Sequence, residues 1–520
     1  MRPSIPSITR FLLFSALVSL PLSVVGAQSH DQHVFGIPTP QAHGILRRFI
    51  PEDAHHLAEV LRIAETHELD IWKIGTESSP HVDIYSPPSS AGLPDTLLAT
   101  RHTTTNINIP LPEQRLRPAD WNLTSLQNTT FHGSYHSQSE VDTFIGELAR
   151  LHPESVQILK LGHSGEEREM LGMKIAKPPA PGDKQKLGFV VLGPQHAREW
   201  VATSTALYIA HALLANASEP NSLAALLDVY VRLTTFLLIH VFLPFASPHL
   251  CPGSLASDFH IIPSPNPDGY VHTWDADRFW YKNRQIVGPG AKCIGIDMNR
   301  NWGSHWKPHA KNPLLWDSDF SISDLDDEQE HQNSTMGTNK KKANKGKKSK
   351  KNGPADPCSH WYPGHRAFEA PEVNNLANYI TKVNGIGKGA GKGGIVAFLD
   401  LRSYGQMLAA PYSYKCTKLP KDAEDQMEAL LGAAQAAKSV YGTQFQTGTV
   451  CELLYRAPGN ILDYIYTTAS IKYTYAAFLR DTGTYGFAIP PEWIRPVGEE
   501  TGVMVEYLAR FIAKQRGIIF

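Results

Sequence analysis

The chain has 520 residues, enough to bury a large core and, on length alone, to form two or more domains. It is 42% hydrophobic and 19% charged, with a net charge of −1. Nothing in that balance points to nucleic acid or to a generally acidic partner, so no nucleic-acid partner is expected. At the N-terminus, Arg2 and Arg10 precede the apolar run "FLLFSALVSLPLSVV", and the small residues of "VVGA" offer a cleavage point after Ala27. The run is too short and wrongly flanked for a spanning helix, so residues 1–27 are expected to be a signal peptide. Export puts the five cysteines in a compartment that permits disulfides. Four sequons, at Asn122, Asn128, Asn216 and Asn333, agree with a glycoprotein. The next most apolar stretch, Leu233 to Phe245, is too short for a bilayer core, and no membrane partner is expected.

Residues 28–115 read as a small α+β unit. Helical "PEDAHHLAEVLRIAETHE" is followed by strand-like "LDIWKI" and "HVDIYS". Turn-rich "SPPSSAGLPD" and polar "TTTNINIPLPEQ" look like connecting segments, and residues 116–130 complete a linker. A larger domain, 131–520, opens near Phe131. In it, helical "SEVDTFIGELARLHP" precedes the strands "SVQILKLGHS", "EMLGMKI" and "LGFVVLGPQ". Helices and buried-type strands then alternate to the end, which predicts an α/β fold with a sheet covered on both faces.

Two stretches stand apart. Residues 317–352 join an acidic block to a lysine block and read as an inserted, solvated surface loop. Residues 232–257, with the unpaired-looking Cys251, read as an insertion or as a buried strand followed by a long loop.

The chemistry begins at "GPQHAREW", where His196 and Glu199 are three residues apart. Imidazole and carboxylate both suit zinc, but H-x-x-E alone is a weak motif and needs a third ligand from elsewhere. Downstream come "NPDGY", "WYKNR", "GIDMNRNW", "FLDLRSYGQ", "CELLYRAPGN" and "IKYTYAAFLRDTGTYGF".

In this order and at these distances, the set resembles the zinc metallocarboxypeptidases of the carboxypeptidase A/B type. The resemblance covers nearly the whole exported chain and implies an activation-type prodomain over 28–115. It further implies a mixed eight-stranded sheet flanked by helices, one zinc ion, and removal of single residues from peptide C-termini. Residue by residue, His196 and Glu199 match two zinc ligands, and Arg198 matches a substrate-contacting arginine. Asn299 and Arg300 match the pair that grips the terminal carboxylate, a role that suits a guanidinium fork. Ser403 and Tyr404 match contacts along the peptide, and Tyr455 matches the mobile tyrosine that closes over it. Leu462 stands at the position that sets side-chain preference and implies an apolar C-terminal residue. Cys293 and Cys358 match the family's disulfide, and Cys416 with Cys451 is expected to form a second. Outside these motifs, Arg300 would read as a structural ion-pair partner and Tyr455 as a half-buried core tyrosine.

The departures fall on the chemistry. Where the family has its third zinc ligand, a histidine before "SYGQ", this chain has Arg402. A guanidinium offers no lone pair, and its charge opposes a nearby cation. Where the family has its catalytic glutamate, before "LRDTG", this chain has Phe478, which can neither take nor give a proton. Tyr281 replaces an arginine that stabilises the oxyanion.

The pattern resembles the fungal inactive metallocarboxypeptidases, secreted or vacuolar pseudoenzymes linked to cell-wall organisation. It implies a monomeric, non-hydrolytic protein whose partner is a peptide or protein C-terminus, such as that of a cell-wall protein, with zinc binding in doubt. The alternative is a working zinc exopeptidase in which Asp400 or Glu452 reaches the water and completes the metal shell. A third reading makes the pocket a relic in a purely structural cell-wall component.

Overall fold

A computed structural model describes residues 43–75, 79–87, 92–109, 120–178, 187–227, 257–290, 292–308, 356–385 and 394–516. The expected signal peptide, the charged stretch 317–352, Asn333, Cys251 and all but the last residue of 232–257 lie outside these residues. Among the described residues, no helix is long and apolar enough to cross a membrane.

The N-terminal layer runs β1 (His43–Phe49), α1 (Ala54–Thr66), β2 (Asp70–Ile74), β3 (Val82–Ser86), α2 (Asp95–Leu98) and β4 (His102–Asn108). Its strands form one antiparallel sheet in the order β2-β3-β1-β4. Helix α1 forms because Leu57, Val60, Leu61 and Ala64 recur at helical spacing and share one buried face. Asp53 caps the helix by accepting a hydrogen bond from the His56 backbone N–H at 2.7 Å. The apolar face packs on Phe49, Ile71, Ile74, Val82 and Ile84.

Two features differ from the sequence reading. The segment 103–114, expected to connect domains, contributes most of β4, which pairs with β1 over its whole length. Its threonines favour extended backbone, and it looks polar because at this sheet edge only Ile107 is buried. The expected linker 116–130 is packed from Trp121 onward, since Trp121 and Leu126 are fully buried in the main core.

The main body continues with α3 (Gln138–Leu151), β5 (Val156–His163), β6 (Glu169–Ile175), β7 (Leu187–Leu192), α4 (Trp200–Leu214) and β8 (Ser257–Ile262). Next come α5 (Pro267–Asp275), α6 (Pro371–Val383), β9 (Ile395–Arg402), β10 (Met407–Ala410) and α7 (Ala423–Tyr441). The last elements are β11 (Gln446–Thr449), α8 (Val450–Leu453), α9 (Ile461–Thr467), β12 (Tyr473–Phe478) and α10 (Ile494–Gln515). Eight strands make one mixed sheet in the order β11-β10-β12-β9-β7-β8-β6-β5, as expected. The central run β12-β9-β7-β8 is parallel.

Strand β7 shows why the sheet is covered twice. Leu187, Phe189 and Val191 face a core shared with α3, α4, α7 and α10, whereas Val190 and Leu192 face one shared with α6 and α9. Alternating side chains are therefore apolar on both faces, which produces the continuous run "LGFVVL". Helix α4 is buried over Trp200–Leu213, because it lies between the sheet and α10. Gly498 of α10 permits this approach: a Cβ there would stand 2.5 Å from the Tyr208 ring.

Cys293 is bonded to Cys358, with Cα atoms 5.1 Å apart, and Cys416 to Cys451. Asn122, Asn128 and Asn216 are exposed.

Candidate functional site

The central parallel strands end together, and the pocket lies past their carboxyl ends, where open α/β sheets place ligands. Strand β7 delivers "GPQHAREW", β9 ends on Arg402 and β12 ends on Phe478. The turn after β7 needs its glycine, because a Cβ on Gly193 would sit 2.0 Å from the Pro263 carbonyl oxygen. His196, Tyr281, Asn299, Arg300, Asp400, Arg402, Tyr455, Leu462 and Phe478 all line one cavity.

His196 and Glu199 are buried side by side, with Nδ1 and Oε1 3.1 Å apart. Arg402 lies across both. Its Nε donates to Glu199 Oε2 at 3.1 Å, its Nη2 donates to Glu199 Oε1 at 3.2 Å, and Nη2 also donates to His196 Nδ1. A guanidinium only donates, so His196 Nδ1 must accept and the ring proton lies on Nε2. That Nε2–H donates to Asp297 Oδ1 at 2.9 Å. Burial acts to raise the Glu199 carboxyl, but the Arg402 guanidinium holds it below its ordinary value. Burial likewise opposes ionisation of Asp297, and His196 with Arg300 brings it below the usual range.

The carboxylate-gripping pair is in place. Asn299 and Arg300 sit in a short 3-10 turn at 298–300, which begins when the Asp297 side chain accepts from the Asn299 N–H. Arg300 Nη1 donates to the Asn299 carbonyl at 2.9 Å, and Nη2 donates to the Tyr455 hydroxyl at 3.2 Å. Leu462, Val450, Leu454 and Ala476 give the cavity an apolar wall.

Other expected residues point elsewhere. Arg198 is turned into the N-terminal layer, where Nη1 meets Asp70 at 2.6 Å and Nη2 donates to the Ile71 carbonyl at 3.0 Å. Tyr404 donates to Asp83 of the same layer at 2.9 Å, and Asp83 is also gripped by Arg48. Ser403 contributes its backbone N–H to Glu199 at 2.9 Å. The Tyr281 ring stacks on His196 at 3.7 Å, with the Arg198 guanidinium 4.8 Å from its centroid. Asp70→Ala would leave the Arg198 charge buried without its carboxylate. Because Asp70 is partly exposed, the expected loss of stability is about 1–3 kcal/mol, measured by urea unfolding.

Of the two alternative carboxylates, Asp400 lines the cavity and Glu452 does not. Glu452 is exposed and caps α8, with its Oε2 accepting from the Thr449 N–H at 3.0 Å. The Asp400 Oδ2 accepts from Arg402 at 3.4 Å and Gln195 at 3.3 Å, whereas its buried Oδ1 has no hydrogen-bond partner among the described residues. Burial pushes the Asp400 carboxyl up to about 7, against the pull of Arg402.

Sequence reasoning missed Asp297 and Gln195. Asp297 orients His196, and Gln195 donates to Asn299 and Asp400 while accepting from Trp302. The available signal was their position beside His196 and Asn299, in "PQH" and "DMN".

Zinc does not fit this arrangement. Among the described residues, no three His, Cys, Asp or Glu side chains converge to hold a metal. The two donors that remain, His196 Nδ1 and Glu199, are both occupied by the guanidinium.

Known proteins share this architecture. By fold, the chain is similar to the crystal structure of thrombin activatable fibrinolysis inhibitor, with TM-score 0.65, 22% identity and coverage of 91% of this chain and 99% of that one. It is similar to carboxypeptidase A from Helicoverpa armigera, with TM-score 0.63, 21% identity and coverage of 91% and 98%. By sequence, it is 30% identical to a metallocarboxypeptidase A-like protein of Trichophyton verrucosum over 85% of this chain and 88% of that protein. It is 27% identical to inactive metallocarboxypeptidase ECM14 of Ajellomyces dermatitidis over 91% of this chain and 72% of that protein. The zinc carboxypeptidase family, Peptidase_M14, matches residues 141–241 and 254–503. With the matching residues covering well over half its length and its motifs gathered around one pocket, the chain belongs to the zinc carboxypeptidase family.

Proposed function

We propose that this chain holds a peptide or protein C-terminus in its pocket without hydrolysing it. We further propose that it does so as a monomeric, secreted or vacuolar protein of cell-wall organisation or biogenesis. One observation carries the reading: Arg300 faces the cavity beside Asn299 and Tyr455, while Phe478 and Arg402 stand where a base and a third metal donor are needed. A carboxylate can be paired there, while the phenyl ring of Phe478 can take no proton from water. The names of several relatives, inactive metallocarboxypeptidases, support the same reading. The apolar wall around Leu462 favours an apolar C-terminal side chain.

The test uses a short peptide ending in leucine. Zinc-supplemented protein, both whole and with the N-terminal layer removed by limited proteolysis, is expected to release no free leucine; measurable release would overturn the reading. Arg300→Ala is expected to weaken peptide binding by about 10- to 100-fold, since it removes charge-assisted hydrogen bonds of roughly 1.5–3 kcal/mol. If Arg300→Ala fully rescued a deletion phenotype, the pocket would be a relic.

A further inference from the structure

We infer that Arg402 is a resident cation in the position the family gives to its metal, so that the pocket is complete without zinc. The contacts behind this assignment all lie within the chain, so it stands apart from the peptide reading.

Each donor that a metal would need is committed to this one side chain. The His196 Nδ1 lone pair accepts from Arg402 Nη2, while Nε2–H is spent on Asp297. Glu199 takes Nε and Nη2 on its two oxygens, the side-on bidentate pairing that a guanidinium and a carboxylate favour. A zinc ion would have to break all three bonds and then sit beside the charge it had displaced.

Phe478 completes the arrangement. Parallel pairing of β12 with β9 puts Phe478 directly beside Arg402, and the phenyl centroid lies 5.8 Å from the guanidinium carbon. A glutamate here would compete with Glu199 for the arginine. A phenyl ring offers no rival anion and leaves the guanidinium on the His196–Glu199 pair. The two departures from the family pattern are thus complementary: one supplies a fixed positive charge, and the other removes the carboxylate that would draw it away.

The donor count leaves one group over. Of five guanidinium N–H groups, four have acceptors in Glu199, His196 and Asp400, and the remaining one is on Nη1. Because Arg402 lines the cavity, this N–H is available to an oxygen of a bound ligand. If a peptide tail enters, as proposed above, its carbonyl oxygen meets a hydrogen-bond donor instead of a Lewis acid.

The decisive probe is zinc alone, offered to the full-length protein. Crystals soaked in zinc and measured at the zinc absorption edge are expected to show no anomalous peak within bonding distance, about 2.0–2.3 Å, of His196 Nδ1 or Glu199. A peak there would overturn the inference, whereas peaks confined to other sites uphold it. A second measurement titrates the leucine-ending peptide calorimetrically with and without a chelator. Equal affinity upholds metal independence, and affinity lost on chelation and restored by zinc overturns it. Absence of peptide binding under both conditions would sink the peptide reading, leaving the anomalous map to decide this one.

Discussion

Replacing Arg402 with alanine is expected to lower the unfolding free energy by about 3–5 kcal/mol, the usual cost of removing one partner from a buried ion pair. The Arg402, Glu199 and Asp400 side chains are each exposed by 5% or less, so solvent screens their attraction only weakly. Asp400 can escape by staying protonated, because burial has already raised it to about 7. Glu199 loses more, because Arg402 is the cation that holds its carboxyl below the ordinary range against burial. Most of the loss therefore falls on Glu199. Urea unfolding followed by tryptophan fluorescence measures it, with an unchanged slope confirming that stability alone has moved. The double variant Arg402→Met plus Glu199→Leu is expected to recover most of the loss, since replacing a buried pair with apolar groups is often neutral. A loss under about 1 kcal/mol for Arg402→Ala would mean that the guanidinium's attraction barely offsets its own desolvation, and Arg402 would not be what holds the His196–Glu199 pair.

The second large effect is a gain. Arg402→His together with Phe478→Glu is expected to give a protein that retains a zinc ion through gel filtration and slowly releases C-terminal leucine. Each change alone falls short for a different reason. Phe478→Glu alone sets the new carboxylate beside Arg402, where it pairs with the guanidinium, and any zinc still faces that charge. At ~4 Å and an effective dielectric of ~20, a divalent ion and a guanidinium repel by roughly 8 kcal/mol. Arg402→His alone supplies a third donor but no base, so metal should bind without turnover. In the double variant, Tyr281 remains stacked on His196 where the family has an oxyanion-stabilising arginine, which should hold turnover roughly 10²–10³-fold below a complete site. Zinc content by elemental analysis and leucine release by amino-acid analysis read the two parts separately. If the double variant retained no zinc, the His196–Glu199 pair would no longer be aligned for a metal.

Motifs with strict local chemistry made much of this legible in sequence. The order "GPQHAREW", "GIDMNRNW", "SYGQ", "LRDTG" placed the pocket, and the run "LGFVVL" revealed a strand buried on both faces. Strand β4 escaped because alternation is the usual strand signal, and a threonine-rich edge strand with one buried residue barely alternates. Asp297 escaped because its role is to orient His196, and such partners carry no spacing rule of their own. Arg198 and Tyr404 were expected along a bound peptide but are engaged by residues 128 and 321 positions away. No local pattern encodes pairing at that distance. The sequence also showed that Arg402 could not ligate zinc, but only the folded pocket reveals that its guanidinium settles on both remaining ligands.

The Cys293–Cys358 bond has a practical consequence. Its ends are 65 positions apart in sequence, and the span between them includes the turn that carries Asp297, Asn299 and Arg300. A single proteolytic nick anywhere in that span leaves both fragments covalently attached. Nicked protein would therefore migrate as one band until a reductant is added, and intactness judged on a non-reducing gel would overlook the cut.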